Sequence, residues 1–189
     1  MKIGLISDTH ITEKRGKLPQ KALESFQNLD LILHAGDITT QEVLDSLNSI
    51  APTIAVEGNN DRNIGIDLNA METLEVSDLK IVLVHGDKIP STKIDELKIL
   101  LTHVELPEGK AKRYYAFAQK NNADILISGH THKPHFERIE DTVLINPGSS
   151  NRPIKSDASI AILSIDEENE YENKLDKVSV EFIKIEIKK

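Results

Sequence analysis

Five short apolar runs in this chain each lead into residues able to hold a metal ion, and that repetition constrains the fold more than any other feature. Lys2–Ile6 leads into Asp8-Thr9-His10, residues 31–33 into Gly36-Asp37, and residues 53–56 into Gly58-Asn59-Asn60-Asp61. Residues 81–84 lead into His85-Gly86, and residues 124–127 into Gly129-His130-Thr131-His132. Runs this short, and this rich in Ile, Val and Leu, suit buried strands. Helical patterns separate the first three. Ala22, Leu23 and Phe26 mark one over residues 18–28; Val43, Leu44 and Leu47 mark another over residues 41–49, with Thr39 or Thr40 placed to cap it. Strand alternating with helix implies an α/β fold that begins as βαβ. In such sheets the carboxyl ends of the strands converge on one edge, where ligands bind.

From about Met71 the pattern changes to hairpins. Residues 72–76 and 79–84 flank Ser77-Asp78, and residues 134–139 and 143–145 flank Glu140-Asp141. Residues 159–165 and 178–187 flank the charged stretch 166–177, which reads as a solvated hairpin tip. In the last strand Val178, Val180 and Phe182 alternate in one phase, and Ile183, Ile185 and Ile187 in the other. A bulge near Phe182-Ile183 would account for the change. Residues 90–122 read as two packing helices. Ile94, Leu97, Leu101 and Val104 carry the first; Pro107 and Gly109 break the pattern, which resumes over residues 110–120. A single domain over residues 1–189 is expected, with its motifs in 2–150, a helical insertion at 88–122 and a C-terminal hairpin at 159–189.

Composition removes several alternatives. There is no Cys, so disulfides and thiolate-held zinc are excluded. A net charge of -8 and 4 % aromatic residues with no Trp disfavour a nucleic-acid-binding surface. No run approaches the roughly 20 apolar residues of a membrane helix, and the first apolar run is too short for a signal peptide. A cytoplasmic protein is expected.

Singly, each metal-capable motif is weak: Asp-x-His, Gly-Asp and Gly-Asn are ordinary turn chemistry, and a lone His is usually structural. Together they are difficult to explain without a cation. Burying that many titratable groups at one sheet edge is costly unless positive charge compensates. Asp8, His10, Asp37, Asn59, His85, His130 and His132 supply seven nitrogen and oxygen donors, more than one tetrahedral ion needs. Two divalent ions sharing a carboxylate and a water fit the count. Mixed N/O donors suit Mn, Fe, Co, Ni or Zn better than Mg or Ca.

In this order, Asp-x-His, Gly-Asp, Gly-Asn, His-Gly and Gly-His-x-His resemble the calcineurin-like metallophosphoesterase superfamily. The Gly58-Asn59-Asn60-Asp61 variant and the later Asn146-Pro147-Gly148-Ser149 resemble its small prokaryotic phosphodiesterase branch. The resemblance implies a four-layer α/β/β/α sandwich with mixed sheets. It implies two divalent ions, Mn foremost, with Ni, Co, Fe or Zn as alternatives. Asp8, His10, Asp37 and His132 would hold one ion, and Asp37, Asn59, His85 and His130 the other. It also makes Asp37 the bridge, whereas the residues alone leave Asp8 equally eligible. Asp37, Asn59 and His85 are the catalytic candidates, and the implied reaction is phosphodiester hydrolysis by a hydroxide bridging the two ions.

Two positions depart from that pattern. Asn60 stands where larger members carry a His that protonates the leaving group, and Thr40 stands where they carry an Asp supporting that His. Diesters with acidic leaving groups are therefore the expected substrates. Asn60, Arg62 and Arg152 are candidates to contact a small phosphate ester. His34 reads as core or as support for the ligands, His135 as a strand-surface residue, and His103 as structural. The rival readings are a metal-binding scaffold of the same fold without catalysis, as in the small retromer subunit, and a nuclease. A homo-oligomer is left open.

Overall fold

The computed structural model describes residues 1–12, 16–62, 65–89 and 107–187, and in it two five-stranded mixed sheets stack face to face. In the first, β1 (Lys2–Ile6) and β3 (Thr53–Ala55) flank β2 (Leu31–His34), both parallel to it. On the far side of β1 lie β9 (Ala158–Ile165) and then β10 (Val178–Ile185), each antiparallel to its neighbour. At the centre of the second sheet, β5 (Leu79–Val84), β6 (Ile125–Ile127) and β8 (Thr142–Pro147) run parallel. Its edges, β4 (Met71–Val76) and β7 (Pro134–Ile139), are antiparallel.

Three buried clusters define four layers. Ile3 and Leu5 of β1 point between the sheets and meet Ile81, Leu83, Ile125 and Ile127. Ile6 and Ile32 point the other way, onto Phe26, which follows α1 (Gln20–Ser25), and onto Val43, Leu44 and Leu47 of α2 (Gln41–Asn48). On the outer face of the second sheet, Val82, Leu126 and Leu144 pack on Tyr114 and Ala118 of α3 (Pro107–Lys120). This is the α/β/β/α sandwich, and its central strands read as continuous apolar runs because both their faces are covered. Among the described residues, no helix is long and apolar enough to cross a membrane.

Local details differ from the sequence reading. No bulge interrupts β10, whose pairing with β9 runs unbroken from Val178↔Ile165 to Ile185↔Ala158. The change of phase has another cause: β10 uses both faces. Val178 and Val180 pack into the core between the sheets, while Ile183 and Ile185 pack into the helix-facing core. Neither threonine caps α2 through its side chain. Thr40 holds the cap position with no side-chain bond, and Thr39, at φ 74°, turns its hydroxyl back to the Ile11 carbonyl. Pro107 and Gly109 do not interrupt α3, which begins at Pro107; proline suits a first turn because its missing N–H has no partner there anyway. The helix expected around Ile94–Val104, and His103, lie outside the described residues.

Candidate metal centre

Asp8 and His10 follow β1, Asp37 follows β2, His85 follows β5, and His130 and His132 follow β6. Backbone hydrogen bonds lock the first two loops together, from Asp8 N–H to the Gly36 carbonyl (3.0 Å) and from His10 N–H to the Asp37 carbonyl (3.1 Å). Asp8, His10, Asp37, His130 and His132 all adopt positive φ, between 46° and 69°. That region is sparse for residues other than glycine and costs on the order of 1 kcal/mol or more each. Five of the seven candidate ligands carry this strain. Two glycines make room for the loops. A Cβ on Gly58 would stand 2.2 Å from Asp37 Oδ1, and one on Gly129 would stand 2.0 Å from Ser7 Oγ.

Four of the donors form one compact group, and Asn59, His85 and His130 make a looser second set beside it. In the first, ligand atoms of Asp8, His10, Asp37 and His132 all lie within 4.8 Å of one another, and all four residues are buried. His10 Nε2 is 3.3 Å from His132 Nε2, and His132 Nε2 is 3.2 Å from Asp8 Oδ1. In the second, His85 Nε2 is 3.2 Å from Asn59 Oδ1, and the His130 ring stands edge-on at 5.2 Å from the His85 ring. Asn59 and His130 are exposed, so this group opens to solvent. Asp37 Oδ2 lies 3.5 Å from the Nε2 of both His10 and His85, one oxygen facing both groups.

The hydrogen bonds behind these atoms suit a cation. His85 Nδ1 lies 2.8 Å from the Ala35 carbonyl and His132 Nδ1 bonds the Arg152 carbonyl, so each ring donates from Nδ1 and turns its Nε2 lone pair inward. The Asp8 carboxylate accepts from Ser7 Oγ and the His130 N–H through Oδ2, while buried Oδ1 faces lone pairs and has no donor. Acceptors converging on acceptors require a proton or a metal ion between them.

The titration shifts reflect the same crowding of charge. Burial pushes the Asp8 carboxyl up, but His132, His85 and Ser7 outweigh it, and the net shift is downward. Burial lowers His132, but Asp8 and the Arg152 carbonyl raise it further than burial lowers it. Burial depresses His10 against the pull of Asp37 and Asp8, with His132 and Arg152 adding to the depression. His130, exposed at its outer edge, is depressed by desolvation of the part of its ring that faces the centre and by His85. The depressed imidazoles of His10 and His130 are neutral at neutral pH, which is the ligand form, whereas Asp8 favours a proton on His132 that a metal ion would have to replace.

The remaining candidates separate by geometry. Asn60 donates its backbone N–H to Asp37 Oδ1 (2.8 Å) and its side-chain amide to Asp37 Oδ2 (2.7 Å). Arg62 is engaged by Asp87 and lies 3.8 Å from Glu57. Arg152 is exposed beside His132, and His135 pairs with Glu137 on the surface of β7. Asp61 is the residue whose role the sequence conceals. Only 2 % exposed, it accepts the backbone N–H groups of Asp37, Ile38, Thr39 and Gly58 at 2.8–2.9 Å. It thereby ties the loop of Asp37 to that of Asn59. An acidic residue two positions past Asn59 was visible; the four donors it would receive were not.

His34 is fully buried at the end of β2, with Nε2 3.3 Å from Thr9 Oγ1 and Nδ1 without a partner. Burial holds its pKa down to about 3. The folded protein therefore keeps it neutral while the unfolded chain binds a proton below about 6.5, so stability falls as pH drops from about 6.5 towards 3. In chelator, urea unfolding at pH 6.5 and pH 5.0 should show His34→Gln losing about 2 kcal/mol less than the parent between the two. Equal losses would mean that His34 is not held neutral.

Residues 1–168 match the calcineurin-like phosphoesterase superfamily domain. The chain belongs to that superfamily. Relatives of this phosphoesterase-superfamily chain include a probable metallophosphoesterase of Methanothermobacter thermautotrophicus, 38 % identical over 89 % of this chain and 88 % of that protein. A phosphodiesterase of Methanocaldococcus jannaschii is 34 % identical over 90 % of this chain and 96 % of its own length. Among solved structures, an archaeal phosphodiesterase is 26 % identical with a TM-score of 0.62, covering 98 % of this chain and 100 % of that one. Zinc-complexed Vps29 of Entamoeba histolytica shares the fold, with a TM-score of 0.69 at 23 % identity over 97 % of this chain and 99 % of that one.

Proposed function

We propose that this protein is a phosphodiesterase working with two divalent metal ions, Mn foremost. The observation that carries the reading is Asp37 Oδ2, placed 3.5 Å from both His10 and His85 and facing both donor groups. Asp8, His10, Asp37 and His132 would hold one ion, and Asp37, Asn59, His85 and His130 the other. Bound there, the ions would acidify a water and neutralise charge on the phosphoryl oxygens. The chain's own part is positioning. The Ala35 and Arg152 carbonyls fix the tautomers and aim of His85 and His132. Asn60 holds both oxygens of Asp37, so that oxygen Oδ2 stays between the two groups. An amide held this way does not protonate a leaving group. Departure therefore depends on the acidity of the leaving alcohol.

The test is hydrolysis of an aryl phosphodiester by chelator-stripped protein with Mn²⁺ restored. Metal-dependent turnover and about two ions bound per chain are expected. Alkyl phosphate monoesters should be cleaved at least about 10²-fold more slowly than aryl diesters, since general acid catalysis contributes about 10² to 10⁴ where present. Comparable rates on both would place an acid at the site and contradict the role given to Asn60. Absence of turnover with Mn, Ni, Co and Zn, in protein that stays folded and binds metal, would favour a metal-binding scaffold.

A further inference from the structure

The Asn146-Pro147-Gly148-Ser149 motif contributes no candidate ligand. Its place in the fold suggests another task. The ligands come from two sheets: Asp8, His10 and Asp37 follow strands of the first, and His85, His130 and His132 follow strands of the second. The core between the sheets is apolar, and apolar contact is non-directional. A metal ion tolerates only about 0.2 Å of error in its ligand distances, so contact of that kind cannot set them. Directional bonds between the sheets must do so.

Two such bonds are made by the ligands themselves. The His130 N–H donates to Asp8 Oδ2 at 3.0 Å, and His85 Nδ1 donates to the Ala35 carbonyl at 2.8 Å. For His132 the link runs through the segment from β8 to β9, which passes from the second sheet to the first. Asn146 holds its root: the side-chain amide donates to the Gly129 carbonyl (2.6 Å), and Oδ1 accepts the Gly148 N–H (2.9 Å). Gly148 then turns the chain at φ 82°, where a Cβ would stand 2.1 Å from Ser159 Oγ. The turn delivers Ser149, fully buried, against the loop that follows β1.

Ser149 Oγ has one proton, and donates it to the Asp8 carbonyl at 2.7 Å. The same oxygen accepts the Arg152 N–H at 2.7 Å. The Arg152 carbonyl in turn accepts from His132 Nδ1. One hydroxyl thus ties the backbone of Asp8 to the residue that fixes the tautomer and aim of His132. Those two side chains approach to 3.2 Å, between Asp8 Oδ1 and His132 Nε2, and both belong to the buried group of four.

Resting on the reading that this group holds a divalent ion, we infer that Ser149 is a positioning residue whose hydroxyl keeps Asp8 and His132 aligned across the two sheets for that ion.

Ser159 provides the control. Its hydroxyl is buried in the same crossing but donates to the Pro147 carbonyl, at 2.7 Å. Ser149→Ala and Ser159→Ala each remove one buried hydroxyl, and urea unfolding in chelator should show similar losses for both. Titration of chelator-stripped protein with Mn²⁺ should separate them. Ser149→Ala should weaken ion binding about ten-fold or more, the scale of changes behind a ligand, and Ser159→Ala about two-fold or less. With Zn²⁺ bound, the His132 Nδ1–H should exchange with solvent about ten-fold faster in Ser149→Ala, and at the parent rate in Ser159→Ala. Ser149→Cys, with a weaker donor in a similar volume, should bind Mn²⁺ less tightly than the parent, and decides the matter if the alanine variant does not fold. Unchanged Mn²⁺ affinity in the Ser149 variants, or an equal loss in Ser159→Ala, would overturn the inference. A parent that binds Mn²⁺ without hydrolysing diesters would sink the phosphodiesterase reading alone, and the titrations would still decide the role of Ser149. A parent that binds no divalent ion would sink both.

Discussion

Asp37→Asn is expected to lower metal-stimulated diester hydrolysis by at least about 10³-fold, comparable to removing a principal electrostatic group from an active site. Asn keeps the shape of Asp but supplies one oxygen, no charge and an amide N–H₂ that repels a cation. Both carboxylate oxygens are engaged in the parent, Oδ1 by the Asn60 N–H and Oδ2 by the Asn60 side chain, and two imidazoles face Oδ2 at 3.5 Å. Whichever way the new amide is turned, its N–H₂ meets a donor or a metal-facing lone pair. Activity and folding separate in this variant. Without metal, relief of the repulsion between two buried carboxylates offsets the cost of setting the new N–H₂ against a donor, so the melting temperature in chelator should change little. The rise in melting temperature that Mn²⁺ gives the parent should shrink, because ligand stabilisation follows affinity. Calorimetric stoichiometry should drop from the two ions proposed for the parent to one or none. Full activity with undiminished metal binding would remove Asp37 from the centre of the mechanism.

Asp61→Asn should act through the opposite channel, unfolding the protein more easily before any chemistry is considered. Oδ2 of Asp61 accepts the N–H groups of Asp37 and Gly58, and Oδ1 those of Ile38 and Thr39. An asparagine can accept at one of these positions only, leaving its own N–H₂ pointed at two buried donors. Each unsatisfied buried donor costs about 1–3 kcal/mol, so a loss of about 3–5 kcal/mol is expected. In a chain of this length that is roughly a 10 °C fall in melting temperature. Metal affinity should fall as well, since the Asp37 and Asn59 loops would lose their common anchor; changes behind the ligands typically cost about 10- to 100-fold. Urea unfolding in chelator isolates the folding part, and metal titration of still-folded variant isolates the rest. A midpoint within 2 °C of the parent would show that backbone and solvent replace the Asp61 bonds.

The two variants bracket how the centre is built. Positive φ at five candidate ligands stores strain in the loops, and a buried carboxylate that saturates four backbone donors supplies part of the rigidity that maintains it.

Much of this arrangement was legible before any coordinates. Strands β1, β2, β5 and β6 announce themselves as apolar runs because burial on both faces demands them, and the metal-capable residues stand just past their ends, where an α/β sheet gathers its loops. Other features depended on residues far apart in the chain. Asp37 is the residue between the two groups because His10 and His85, 27 positions before and 48 after it, meet the same oxygen. Arg62 is engaged because Asp87 folds against it. Thr39 is diverted from capping as its N–H goes to Asp61 and its hydroxyl to Ile11. The phase change in β10, read locally as a bulge, reflects two different cores on the two faces of one regular strand. Periodicity in a sequence reports which positions are buried, because burial acts on each residue separately. Which buried groups face one another is set by strand order and sheet stacking, and so only the tertiary structure decided it.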